Sequence, residues 1–290
     1  MNASVEPRFS LQMLGGISET LLIPLIARAS AHRRFPHLRF RDVYSELILQ
    51  ALDVNASRLR QNGGTLLGSC LRARWVEHEA ATFMRTQPDA LGVSLGAGLD
   101  TLYLRLCDGI GELNNDWYDV DLPAVIALKR NLLTETNRYR MLAANLSDPQ
   151  FIDTLRWRPG QPAVFVLEGV LMFMERAAVE ALLKRIIAAA AWRGSTLSIL
   201  FDYCSPFMAR QSRLHPSVHE ARTAGADQKQ FRWSLERPEE LQWLHPELHE
   251  HASYDLMRDC GVFPRMLGWV HQRLTGRPFY GCVHMRLQAA

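Results

Sequence analysis

The sequence predicts an α/β protein: a doubly wound, mostly parallel sheet, with a helical segment ahead of it and an antiparallel strand near its C-terminal end. Three observations predict this. From Leu91 onward, short aliphatic and β-branched runs alternate with helix-spaced segments, the pattern of a parallel sheet covered on both faces. A glycine turn, Gly96-Ala97-Gly98, follows the first of those runs in "LGVSLGAGLDTLYLRL". Polar residues then recur at the ends of successive strand-like runs, the place where open α/β sheets bind ligands.

Residues 1–90 read as a helical N-terminal cap. "SETLLIPLIARASAHRRF" has an acid near its start and basic residues at its end, which suits the helix dipole, with Pro24 bending the helix or sitting near its first turn. "RARWVEHEAATFMR" is a second helical pattern that stops before Gln87-Pro88-Asp89. Residues 91–204 form the cofactor-binding core, with strands expected at 91–96, 117–121, 139–144, 163–168 and 196–202. Helices are expected between them at 99–107, 122–135, 148–156 and 175–192, the last ending at a basic turn and Gly194. Residues 205–255, rich in Pro, His, Trp and charge, read as an inserted helical lid. In 256–290, runs at 262–270 and 281–287 read as an antiparallel closing pair. All four segments belong to a single domain.

Composition narrows the function. The 290 residues are 48% hydrophobic and 22% charged with a formal net charge of +3, an ordinary globular balance. Dispersed basic residues leave no nucleic-acid footprint. No apolar run approaches the roughly 20 residues needed to span a bilayer, so no membrane partner is expected. The five cysteines lie far apart with no C-x-x-C, which fits free thiols in the cytoplasm. His245, His249 and His251, and His215 with His219, lack the H-E-x-x-H arrangement, so no metal is expected. G-x-S-x-G, the hydrolase signature, does not occur.

The turn itself is selective. A dinucleotide fingerprint wants a third glycine where this chain has Thr101, which disfavours a pyrophosphate. A cofactor without phosphates, such as S-adenosyl-L-methionine, asks less of the turn. It needs an acceptor for its ribose hydroxyls, a slot for adenine and partners for its amino-acid end. Asp121, at the tip of "WYDVD", offers the first and is also well placed to cap the following helix. Asn145-Leu146 closes the third strand, and Glu168 closes the fourth. Asp100 reads as a brace for the loop.

These motifs, taken together with "SETLLIPLIARA" and "RARWVE", make the chain similar to the leucine carboxyl methyltransferase family, in its bacterial branch that methylates polyketides. The likeness runs over roughly residues 15–205. It implies a Rossmann-like class I methyltransferase fold binding S-adenosyl-L-methionine. Residue by residue, it implies that Gly96 and Gly98 line the methionine and ribose side of the turn and that Asp121 takes the ribose. Asn145 and Leu146 fall beside adenine, where the family usually has an acid before the apolar residue. Arg72 matches the arginine that pairs with the cofactor carboxylate, Arg28 stands where one branch has a second basic residue, and Glu168 lies near the cofactor ammonium. Some relatives carry Tyr where this chain has Phe173.

The resulting expectation is an O-methyltransferase for a carboxylate or hydroxyl of a small organic acceptor, monomeric or homodimeric, with no catalytic base evident. Phe207, Phe231, Trp233 and Trp243 would shape an apolar acceptor slot or simply pack a core. Alternatives are a methyltransferase for a protein C-terminal carboxylate, a nicotinamide dehydrogenase, and a non-catalytic protein that binds the same cofactor.

Overall fold

The computed structural model describes residues 21–52, 62–111, 113–212 and 231–288. Seven strands form one sheet in the order β3-β2-β1-β4-β5-β7-β6. They are β1 (Leu91–Leu95), β2 (Trp117–Asp121), β3 (Tyr139–Ala143), β4 (Ala163–Leu167), β5 (Leu197–Cys204), β6 (His249–Asp255) and β7 (Tyr280–Leu287). The first five run parallel; β7 is antiparallel to β5 and to β6. The chain therefore reverses its winding direction between β1 and β4, and the crevice outside their C-terminal ends is the place this topology reserves for a ligand.

Side-chain alternation splits the sheet between two cores. Leu91, Val93, Leu95, Phe165 and Leu167 face α6 (Arg176–Arg193) through Leu182, Leu183 and Ile186. Val164, Val166 and Leu200 face α3 (Gly63–Thr86) and α4 (Leu102–Ile110) through Val76, Ala80 and Leu102. A third core joins α1 (Leu22–Arg34), α2 (Val43–Ala51) and α3 to Leu99 and Leu128, the latter on α5 (Pro123–Leu132). Pro24 lies in the first turn of α1 and Pro123 opens α5, where a missing N–H costs nothing. Gly194 ends α6 in a left-handed cap.

Three expectations need correction. Residues 262–270 are not a strand but part of a helix, α8 (Val262–Thr275). Val262, Met266 and Val270 recur every four residues, as do Phe263 and Leu267, a helical and not an alternating spacing. The strand that pairs with β7 is β6, inside the segment expected to be a helical lid. Its sequence, HEHASYD, is polar because it is the sheet's edge, where charge discourages further pairing. Residues 148–156 form only a short 3-10 helix, Pro149–Thr154, anchored by Phe151 and Ile152; two buried side chains do not sustain a longer helix. Between β5 and β6 the described residues contain α7 (Pro206–Arg210) and a 3-10 turn at Pro238–Leu244. Among the described residues no helix is long and apolar enough to cross a membrane.

Candidate functional site

The glycine turn sits where β1 leaves the sheet. Gly96 has φ +64, and a Cβ there would come within 2.6 Å of a Val170 methyl carbon, so this position admits only glycine. The turn's amides are already engaged. Those of Gly96 and Ala97 donate to the Val120 carbonyl at 2.8 and 3.2 Å, and that of Gly98 donates to Asp121 Oδ2 at 2.7 Å. A phosphate-binding turn needs such amides free. This one closes on itself and on β2, which suits a ligand that approaches by shape and carries no phosphate.

Asp121 ends β2 with both carboxylate oxygens in use, the second accepting from the Leu122 amide at 2.7 Å. Each oxygen keeps further lone-pair capacity, so bracing the turn and accepting a diol are compatible. Burial pushes its carboxyl above the ordinary value, against the opposing pull of the two amides. Asp119, two residues back, is committed elsewhere: Lys129 Nζ lies 2.6 Å from it, and Tyr139 and Trp117 donate to it. Asn145 is exposed and its Oδ1 accepts from the Ser147 amide at 2.9 Å, a local turn that leaves its NH2 and one Oδ1 lone pair for a ligand. Leu146 is half-buried against the α6-side core.

Glu168 and Arg72 meet at the tip of β4. Arg72 Nε donates to Glu168 Oε1 at 3.0 Å, while Nη1 donates to Asp202 Oδ2 at 3.0 Å and to the Tyr280 hydroxyl at 2.8 Å. Tyr280 donates in turn to Asp202 Oδ2 at 2.5 Å, and Asp202 Oδ1 accepts from the Gly169 amide at 2.6 Å. Gly169 sits at φ +69, a conformation that favours glycine, and a Cβ there would stand 3.0 Å from Arg72 Nη2. One atom of this cluster is left over. Glu168 Oε2 is buried with no protein partner, and burial pushes the Glu168 carboxyl up against the opposing pull of Arg72. An orphaned buried carboxylate oxygen beside an arginine asks for a cation or a donor.

Sequence reasoning passed over Asp202 and Tyr280. The signal for Asp202 was a single acid in the otherwise apolar run "ILFDYC", a residue that cannot be buried without partners. Nothing in sequence spacing marks Tyr280, which arrives only through the β5–β7 pairing that sets Cys204 beside it.

Arg28 is brought to the turn but from behind it. Its Nε donates to Asp42 at 3.1 Å and Ser45 at 3.2 Å, and Nη2 to the Leu99 carbonyl at 3.0 Å. Asp42 also takes Thr101 at 2.7 Å and Arg105 at 3.3 Å, and Arg105 binds Asp100 and Glu77. Thr101, the residue that replaces a third glycine, thus ties the turn to α2. Asp100 is the brace that its position implied.

Beside the Arg72 cluster lies an apolar group of Met172, Cys204, Met208 and Phe231, with Phe173, Phe279 and Tyr280 packed against it. Phe173 meets Phe231 edge-on with centroids 5.4 Å apart. Of the other expected slot residues, Trp233 is buried against Phe201 in the main core, Phe207 is half-exposed, and Trp243 lies under Lys184 on the surface. His284 contacts Glu79 and Ser198 at 2.9 Å each, a hydrolase-like trio, but Ser198 is fully buried and presents no nucleophile. Among the described residues no group of three or more His, Cys, Asp or Glu could hold a metal ion; His245, His249 and His251 are included in that statement, whereas His215 and His219 lie outside the described residues.

Comparisons with known proteins converge on one fold and one family. The leucine carboxyl methyltransferase family profile matches residues 22–187. The tetracenomycin polyketide synthesis O-methyltransferase TcmP of Streptomyces glaucescens is 30% identical over 244 residues, covering 84% of each chain. An S-adenosyl-L-methionine-dependent methyltransferase, dpfgK, of Gibberella zeae is 28% identical over 262 residues, covering 85% of this chain and 84% of its own. Among solved structures, a methyltransferase candidate from Thermobifida fusca superposes with a TM-score of 0.55 at 17% identity, covering 91% of this chain and 95% of the other. It shares the fold: a mixed seven-stranded sheet of class I methyltransferase type.

Proposed function

The chain belongs to the leucine carboxyl methyltransferase family, with S-adenosylmethionine as cofactor, and on that premise we propose that it methylates an oxygen of a small, largely apolar organic acceptor. The observation that carries this reading is the juxtaposition at the tips of β4, β5 and β7. There, an unsatisfied buried carboxylate and a shared arginine adjoin an apolar cluster of Met, Phe and Cys side chains.

The residues fit the cofactor. Arg72 would hold its carboxylate, Glu168 Oε2 its ammonium, Asp121 its ribose hydroxyls, and Gly96 and Gly98 would let it approach the turn. Leu146 and the Asn145 amide would flank adenine. Arg28 acts through the turn, by fixing the Leu99 carbonyl and Asp42. When bound, S-adenosylmethionine supplies an electrophilic sulfonium methyl.

The chain's own contribution is placement and exclusion of water. The titratable groups within the apolar cluster are Cys204 and Tyr280. Burial pushes the Cys204 thiol up to about 12 and raises the Tyr280 phenol well above its ordinary value. Neither is a base at neutral pH, and Phe173 has no group to donate or accept. An acceptor that is already anionic, a carboxylate or an acidic phenol, needs no base, so the lack of a base within this cluster favours that class. A polyketide-like aromatic acid or phenol matches both requirements. The helices of residues 22–86 and the described residues between β5 and β6 would form the walls around it, in a single domain. All five cysteines are free thiols, which supports a cytoplasmic setting.

The test is incubation of the protein with methyl-labelled cofactor and a panel of aromatic acids, phenols and peptides ending in a free carboxylate. Label entering an aromatic acid or phenol is the expected result. Base treatment then releases methanol from an ester and spares an ether. Transfer to the peptide alone would establish the protein-carboxylate alternative, and cofactor binding without any transfer would support a non-catalytic role.

A further inference from the structure

Helix α8 is mounted inside out. Val262, Phe263, Met266, Leu267, Trp269 and Leu274 face solvent, with exposures from 41% at Leu267 to 81% at Leu274. At 100° per residue these positions span an arc of roughly 160°. The side turned toward the protein is held by small and polar groups. Gly268 is buried where a Cβ would come within 2.6 Å of Met257, and His271 contacts the Arg277 carbonyl at 3.1 Å while packing edge-on against Phe279. Amphipathic helices on soluble proteins turn the apolar arc inward; this one turns it outward.

The charge on the helix has one sign. α8 contains no acidic residue. Arg265 and Arg273 are exposed, and among the described residues neither pairs with a carboxylate; Arg273 stacks over the Trp269 ring at 5.3 Å. A helix with Trp, Phe and Leu on a broad face, one arginine beyond its edge and another within it, matches the physical signature of an interfacial helix lying in a lipid headgroup layer. A symmetric pairing with a second copy is the weaker fit, because a two-helix seam uses a narrower stripe and a two-fold contact brings the same arginines together.

We propose that α8 docks the protein, peripherally and reversibly, on an anionic lipid surface. This revises the expectation of no membrane partner, which rested on the absence of a spanning segment. The docked helix is contiguous through Phe279 with the apolar cluster beside Arg72, so acceptors that partition into lipid are the class best placed to enter. That last clause rests on the proposed reaction; the docking itself does not.

The experiment is flotation of the full chain with vesicles of phosphatidylcholine containing about a third phosphatidylglycerol, against phosphatidylcholine alone. Flotation with the anionic vesicles and little with the neutral ones is expected. F263E/L274E should abolish it. R265Q/R273Q should weaken it by about fivefold per arginine at low salt. Both double variants should keep wild-type circular dichroism and S-adenosylhomocysteine affinity, which separates lost docking from lost folding. Absence of flotation overturns the proposal, as does flotation that neither pair alters. A wild-type dimer by light scattering that falls to the 33.0 kDa chain mass in F263E/L274E would also overturn it, giving the face to a second copy. Failure of every acceptor in the methylation assay leaves the vesicle result untouched, and the reverse holds too.

Discussion

Two buried ion networks flank the glycine turn, and they are built to different ends. Behind it, Asp42 collects Arg28, Ser45, Thr101 and Arg105, while Arg105 also binds Asp100 and Glu77. In front, Arg72 is shared among Glu168, Asp202 and Tyr280, and one oxygen of Glu168 is left without a partner. The titration behaviour follows. Burial raises Asp42 and Asp100, but their arginines outweigh it and hold both carboxyls below the ordinary range. At Glu168 burial wins over Arg72 and the carboxyl is pushed up. Asp42 and Asp100 each face both Arg28 and Arg105, which makes the rear network an anchor. Glu168 faces Arg72 alone and shares it with Asp202, which leaves one of its oxygens unpaired.

The difference can be broken most severely at Arg72. Arg72→Ala strands Asp202 and Glu168 in the interior, and a loss of about 3–5 kcal/mol is expected in urea unfolding, together with loss of S-adenosylhomocysteine binding by calorimetry. Arg72→Lys keeps the charge without the planar fork, so it should recover most of the stability and little of the binding. Asp42→Asn attacks the rear network instead. It should cost about 2–3 kcal/mol of stability while the remaining folded protein binds cofactor with affinity close to wild type; an equal loss in both would erase the distinction between the networks.

Asp121→Ala should weaken cofactor binding by about 1–3 kcal/mol through lost charged hydrogen bonds. Undiminished affinity would remove Asp121 from the ribose role. Glu168→Gln sharpens the comparison through pH. Because the folded carboxyl is raised above 4.5, its contribution to the ligand-free chain's stability is present below that value and lost as pH rises through the folded value. An ammonium at Oε2 reverses the preference, so cofactor affinity should climb over the same window in the wild type and stay flat in Glu168→Gln. Parallel profiles for the two proteins would place the ammonium elsewhere. The smallest effect is expected at Asn145→Ala, under about 0.5 kcal/mol in binding or stability, since its side chain chiefly braces its own turn.

How much of this was legible in the sequence follows the range of the interactions involved. The parallel sheet was legible because alternation is local: each strand announces its own burial. Asp121 and Glu168 were legible because a strand tip is a position within one element. Arg28 was drawn toward the cofactor by family likeness, whereas its partners on α2 lie 14 and 17 residues away, a meeting that only the packing of α1 on α2 brings about. Asp202 and Tyr280 depend on pairings 33 and 208 residues distant from Gly169 and Arg72 respectively. The exchange of β6 for α8 has another cause. An edge strand is polar and a solvent-facing helix here is apolar, so the hydrophobic pattern pointed each toward the other's role.

The Tyr280 contact carries a consequence for folding. Arg72 on the third helix meets its tyrosine across 208 residues of chain, so its guanidinium gains that partner only when β7 has paired with β5. Before that pairing it stands between Glu168 and Asp202 with one of its three side-chain partners missing. The ordering of this one guanidinium therefore reports that the antiparallel half of the sheet has closed.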